Sequence, residues 1–177
     1  IPNTVTTIGP AAFAECDELA EVIIPDSVVQ IGYSAFKSSG LKRIDIPATV
    51  KSIGEDMFND CTRLESINIH KDNANYCSVD GVMFDKSKTT LLHYPVGCKN
   101  NTYTVPTNVK IINDWAFYNC IYLKEIILPQ AFKNVLPAIG NEMISLLKET
   151  SVAGYVAVQD ITKAANQIKN TTYDQVN

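Results

Sequence analysis

The stretch Ile46-Pro47-Ala48-Thr49-Val50-Lys51-Ser52-Ile53-Gly54-Glu55-Asp56-Met57-Phe58-Asn59-Asp60-Cys61-Thr62-Arg63-Leu64-Glu65-Ser66-Ile67-Asn68 is one unit of a pattern that the chain repeats. The same frame opens at Ile1, Ile24 and Ile46, passes Ile69, and returns at Val105 and Leu128, in steps of 23, 22, 23, 36 and 23 residues. Self-similarity at such a period marks a solenoid, because one unit alone buries too little apolar surface and has to stack on its neighbours.

Within a unit the wording is Ile-Pro-x-x-Val-x-x-Ile-Gly-x-x-Ala-Phe-x-x-Cys-x-x-Leu-x-x-Ile-x-Ile. In Leu41-Lys42-Arg43-Ile44-Asp45-Ile46 the β-branched residues alternate with polar ones, which predicts a half-buried strand. Pro25, Pro47, Pro106 and Pro129 close such strands, since proline donates no hydrogen bond to a continuing ladder. Phe58, Cys61 and Leu64 recur every three residues, a spacing that predicts a short helix or 3₁₀ turn, with Gly54 ahead of it permitting the bend. The strands are expected to align as one parallel sheet along one face. The second unit is one residue short at Lys37-Ser38-Ser39-Gly40, read as a tightened turn in which the cysteine slot is lost.

The regular spacing fails between His70 and Thr104. There Asp80-Gly81 sits between apolar residues, a tight-turn signal, and a second turn follows at Asp85-Lys86-Ser87-Lys88. The spacing predicts a small hairpin within an enlarged coil over 70–104. Asp72, Asp80 and Asp85 do not have the spacing of an EF-hand calcium loop, and turn formation accounts for them.

The chain has 177 residues, 46% of them hydrophobic, a net charge of −4 and a pI near 5.1. An acidic balance argues against nucleic acid or an anionic membrane surface as the main partner. The first residues open partway into a repeat, so the chain reads as a fragment of something longer. Of five cysteines, Cys16, Cys61 and Cys120 share one slot of the repeat, three residues after a phenylalanine, and read as small core residues. Cys77 and Cys98 fall in the irregular stretch, where a disulfide and two free thiols are both open. His70 and His93 are expected at the surface or half-buried. Without a metal-ligand cluster, a serine elbow or a phosphate-cradling loop, neither a cofactor nor an enzymatic activity is expected.

The repeated frame, together with Tyr76-Cys77-Ser78-Val79-Asp80-Gly81-Val82-Met83-Phe84 and Tyr94-Pro95, resembles the BspA-like class of leucine-rich repeats over residues 1–129. That resemblance implies a leucine-rich-repeat solenoid on a secreted or surface protein. It also implies adhesion to a protein ligand such as a host matrix protein or another cell-surface protein.

After Pro129 the wording changes. Ile139, Met143, Leu146 and Leu147 lie on one face of a helix, and a second helix is expected from Val156 to about Lys169. Leu128-Pro129-Gln130-Ala131-Phe132-Lys133-Asn134-Val135-Leu136-Pro137-Ala138-Ile139-Gly140-Asn141-Glu142, with Leu146-Leu147-Lys148-Glu149-Thr150-Ser151, resembles the permease subunits of polar amino-acid ABC transporters. The coupling loop's Glu-Ala-Ala signature and the flanking membrane helices of that family are absent from it. Glu125-Ile126-Ile127-Leu128-Pro129 fits both texts, as a fusion at a shared word would. The helical tail, 130–177, either caps the solenoid or is mobile, and membrane contact is expected only through it.

On a strand, alternate residues face outward. The candidate partner-binding positions on the sheet face are therefore Glu21 and Ile23, Arg43 and Asp45, Ser66 and Asn68, and Glu125 and Ile127. The expected function is a non-enzymatic protein-binding module, extracellular or at the cell surface. The alternatives are a remnant or fusion of an amino-acid transporter permease at the cell membrane, and a structural module without a ligand of its own.

Overall fold

The computed structural model describes residues 1–129, and the predicted tail helices lie outside the described residues. The chain divides into two compact units, Ile1–Ile126 and Ile127–Asn177. The first is the solenoid.

Regular coils after the first supply two short strands rather than one, and the first supplies only its Ile-Gly strand. The first comes at the Ile-Gly step: β1 (Thr7–Ile8), β2 (Gln30–Ile31) and β4 (Ser52–Ile53) pair in parallel in the order β1-β2-β4. The second comes at the Ile-x-Ile step, where β3 (Arg43–Ile46) pairs in parallel with β5 (Ser66–Ile69). The expected single sheet is thus two lines of rungs. The expected alternation holds: Ile44, Ile46 and Ile67 are buried while Arg43, Asp45 and Asn68 are exposed. The strand ends at the proline, whose carbonyl then accepts from the valine amide three residues on, as in Val28 to Pro25 and Val109 to Pro106.

The arc between the two lines is not a helix, and the described residues contain none. In each coil two arc residues four apart are left-handed: Ala11 and Glu15, Ser34 and Ser38, Asp56 and Asp60, Trp115 and Asn119. This backbone turns alternate amides along the solenoid axis. Ala11, Phe13 and Glu15 donate to the carbonyls of Tyr33, Ala35 and Lys37, and Ser34, Phe36 and Ser38 to those of Glu55, Met57 and Asn59, at 2.8–3.1 Å. A helix would spend those amides inside its own segment. The three-residue period survives because successive turns also bury every third residue: Phe58, Cys61 and Leu64 are each at most 1% exposed.

The glycine before the arc serves proximity rather than a bend. A Cβ on Gly54 would lie 2.3 Å from the Tyr33 nitrogen, and one on Gly32 2.5 Å from the Pro10 nitrogen. Neither glycine has a positive φ. The short second unit also differs from its expected reading. Ser39, three residues after Phe36, fills the cysteine slot, is buried, and sits 3.5 Å from the Cys61 sulfur. The missing residue is taken up beyond it, at Gly40, where the chain presses against the Asp17 carbonyl.

The enlarged coil contains the predicted hairpin. β6 (Tyr76–Val79) and β7 (Val82–Asp85) are antiparallel around Asp80-Gly81, both with positive φ. After the second turn, β8 (Thr90–His93) runs antiparallel to β7 and parallel to β10 (Ile111–Ile112), which resumes the regular coils. β9 (Thr102–Thr104) pairs with β11 (Glu125–Ile127). Fully buried Asn73 staples the enlarged coil to the coil before it. Its amide donates to the carbonyls of Pro47 and Val50, and its oxygen accepts from the amides of Asn75 and Tyr76.

Candidate functional site

The structure brings four of the eight predicted surface positions into one cluster. Arg43 stands opposite Ser66 and Asp45 opposite Asn68 in the β3–β5 register. Asn68 donates to the Asp45 carboxylate at 2.8 Å and accepts from the Ser66 hydroxyl at 2.9 Å. These bonds hold the polar groups of two coils in a fixed pattern. Glu21 and Ile23 lie one coil earlier, outside any strand, beside β3, where Lys42 donates to the Ala20 carbonyl. Ile23 is 82% exposed, an apolar side chain held in solvent. Glu125 and Ile127 belong to β11, which pairs with β9, and they do not join this cluster.

Where the cluster meets the Ile-Pro corner, an open hollow of about 240 Å³ is lined by Ile24, Asp45, Ile46, Pro47, Asn68, Ile69 and His70. Its floor is aliphatic and its rim carries one carboxylate, one amide and one imidazole. His70 is exposed, as predicted, with its Nδ1 accepting from the Asp72 amide.

His93 departs from its expected place. It is only 8% exposed, its ring lies 5.5 Å from that of Phe58, and its Nε2 is buried without a partner. Burial lowers its pKa to about 4, against a weaker upward pull from Asp56, so the imidazole is neutral near pH 7. It carries on an aromatic column through Phe13, Phe36 and Phe58, with centroid spacings of 5.3 and 6.2 Å. Tyr94 then occupies the phenylalanine slot of the enlarged coil and packs on Phe117. The signal was present: Tyr94 precedes Phe117 by one period of 23 residues.

All five cysteines are free thiols, and Cys77 and Cys98 do not form a bridge. Burial raises the pKa of Cys61, whose sulfur donates to the Phe36 carbonyl at 2.9 Å, and that of Cys120, to about 12. Both are protonated packing groups, not nucleophiles. Among the described residues no group of three or more His, Cys, Asp or Glu side chains is placed to hold a metal ion. Asp85 serves its own turn. Although burial works to raise its pKa, hydrogen bonds from Ser87, Thr90 and Thr89 outweigh that and lower it. No helix among the described residues is long and apolar enough to cross a membrane.

Two sets of known proteins resemble this chain. The pneumococcal vaccine antigen PcpA superposes with a TM-score of 0.68 at 30% identity, over 73% of this chain and 33% of its own. A leucine-rich cell surface protein of Faecalibacterium prausnitzii A2-165 superposes with a TM-score of 0.63 at 29% identity, over 73% of this chain and 40% of its own. A different set of relatives matches a short stretch only. The arginine transport system permease protein ArtQ of Bacillus subtilis is 42% identical over 52 residues, 29% of this chain and 24% of its own length. The L-cystine transport system permease protein TcyB of the same organism is 39% identical over 54 residues, 30% of this chain and 23% of its own. The chain therefore spans about a quarter of the permeases it resembles. The model of the BspA-type leucine-rich repeat region matches residues 1–100 and 94–163, in six copies. On that match, and on the two lines of stacked rungs, the chain belongs to the BspA-type leucine-rich repeat family.

Proposed function

We propose that residues 1–129 form a non-enzymatic protein-binding module of a cell-surface or secreted adhesion protein. Its contact surface is Glu21, Ile23, Arg43, Asp45, Ser66 and Asn68 with the adjoining hollow. The observation that carries this reading is the juxtaposition of an exposed isoleucine, a hydrogen-bonded polar cluster and an aliphatic-floored hollow on one face. An apolar anchor ringed by ordered polar groups is how protein interfaces combine affinity with orientation. The description of the Faecalibacterium relative as a cell surface protein supports the location. The test is surface plasmon resonance of the full chain against purified extracellular-matrix proteins, before and after Arg43→Glu with Asp45→Lys. Loss of about tenfold or more in affinity is expected. An unchanged affinity for every partner detected refutes the sheet-face site.

The permease relatives favour a second reading for the end of the chain, a fusion of repeat and permease text near Ile126-Ile127-Leu128-Pro129. Sequencing the source genome across codons 120–140 tests it, and an uninterrupted repeat or permease gene there refutes it.

A further inference from the structure

The arc ladder breaks at one place inside the solenoid. Coil-one arc amides donate to coil two, and coil-two arc amides to coil three, but among the described residues the amides of Asp56 and Phe58 in coil three meet no carbonyl. The cause is the length of the next arc. Leu91 pairs with Ile112, and the Tyr94 amide donates to the Ala116 carbonyl just before Phe117. The chain thus covers in three steps, Leu91 to Tyr94, what coil five covers in five, Ile112 to Phe117. The shortened arc cuts the corner and leaves a cavity of about 230 Å³. Asp56, Met57 and Phe58 of coil three, Leu92 and His93 of the short arc and Asn113 of coil five line it. Asn119 reaches past the short arc and donates to the Asp60 carboxylate, 59 residues away, at 3.1 Å.

We propose that this notch binds an extended peptide segment, neutral or basic, that supplies the missing rung. Its carbonyls would accept from the Asp56 and Phe58 amides as those of coils two and three do elsewhere, a form of strand addition. Unpaired backbone donors facing a cavity favour such an acceptor row. The buried, unpartnered Nε2 of His93 offers a further hydrogen bond within the notch. Met57, Met83 and Leu92 provide an apolar wall for one side chain, and methionine adapts to varied shapes. Glu55 and Asp56 at the mouth disfavour acidic sequences. This site is separate from the sheet face and does not depend on it.

The probe is the peptide Gly-Tyr-Ser-Ala-Phe-Lys, the chain's own residues 32–37, which already presents three carbonyls to the arc of coil one. It is titrated into the ¹⁵N-labelled full chain and followed by amide chemical shifts. Saturable shifts at Asp56 and Phe58 below about 1 mM are expected. Replacing the peptide's lysine by glutamate is expected to weaken binding about threefold. His93→Phe, which keeps a ring against Phe58, is expected to weaken binding about fivefold while the Asp56 shift persists. No saturable shift at either amide up to about 5 mM overturns the proposal, as do shifts confined to β3 and β5.

Discussion

Gly54→Ala tests whether the repeat glycine exists for clearance. At an unstrained, open position such a change stabilises by about 0.4–1 kcal/mol, because alanine restricts the unfolded chain. At Gly54 the new Cβ would lie 2.3 Å from the Tyr33 nitrogen and 2.6 Å from the Gly32 carbonyl carbon, both backbone atoms that cannot rotate away. Restoring ordinary contact requires the two coils to part by about 1 Å locally. The adjacent rungs, Gly54 to Ile31 at 2.8 Å and Ser34 to Glu55 at 3.0 Å, then stretch beyond hydrogen-bonding range. Two lost bonds at about 1 kcal/mol each, with overpacking of about 1–3 kcal/mol, predict a net loss of about 2–5 kcal/mol. Gly9 holds the same slot in the first coil, has nothing within 4 Å of its would-be Cβ, and has no positive φ. Gly9→Ala is therefore expected to be neutral or to stabilise by up to about 1 kcal/mol. Urea unfolding of the full chain, followed by circular dichroism, measures both. If the two variants change stability by the same amount and in the same direction, the clearance argument fails.

Asn73→Ala leaves the Val50 carbonyl of the preceding coil and the Asn75 and Tyr76 amides of the enlarged coil without partners, while the Pro47 carbonyl keeps the Val50 amide, so a loss of about 3 kcal/mol or more is expected in the same urea assay. Stability also depends on pH through His93. Its folded pKa of about 4 is below the unfolded 6.5, so neutral-state stability is full above pH 6.5 and declines as pH falls toward 4. The loss is about 2 kcal/mol by pH 5, and His93→Phe is expected to abolish the part of the slope between pH 6.5 and 5; an unchanged slope refutes it. Phe36→Ala removes the middle ring of the aromatic column, itself fully buried, and is expected to cost about 3–5 kcal/mol. Iodoacetamide on the folded chain is expected to spare Cys61, which burial keeps protonated and covered; mass-spectrometric labelling of Cys61 as fast as in urea contradicts this.

Much of the fold was legible because the pattern and the physics share a period. Ile44 and Ile46 alternate as a strand must, the prolines stop the strands, and Asp80-Gly81 marks a hairpin whose two central residues need positive φ. The arc was misread for a definite reason. A three-residue apolar spacing is produced equally by a 3₁₀ turn and by successive turns with left-handed residues, and side-chain spacing does not report where the amides point. Ser39 hid in the cysteine slot because serine reads as a turn residue, although counting three from Phe36 finds it. The cluster of Arg43, Asp45, Ser66 and Asn68 followed from alternation alone. Glu125 and Ile127 share that alternation but pair with β9, which depends on how the inserted hairpin re-routes the sheets.

The enlarged coil shows why an irregular unit can sit inside a solenoid and where it leaves a mark. Along the inner lines its side chains and backbone replace the missing rungs one for one. The Ile53 amide finds the Tyr76 hydroxyl at 3.1 Å, the Ile67 amide the Gly81 carbonyl at 2.9 Å, and the Ile69 amide the Ser78 hydroxyl at 3.0 Å. Each of these donors would otherwise be a partly buried, unpaired amide, and their satisfaction lets the stack continue through the hairpin. At the arc the replacement stops, because the chain from Leu91 to Tyr94 is too short to pass in front of Asp56 and Phe58. The position of the notch is therefore a consequence of chain length at one corner. Lengthening that corner by two residues, between Leu92 and His93, is expected to pair the Asp56 amide internally and slow its hydrogen exchange. The same insertion should abolish peptide binding there and leave the sheet face untouched; exchange at Asp56 as fast as before would show that the notch has another cause.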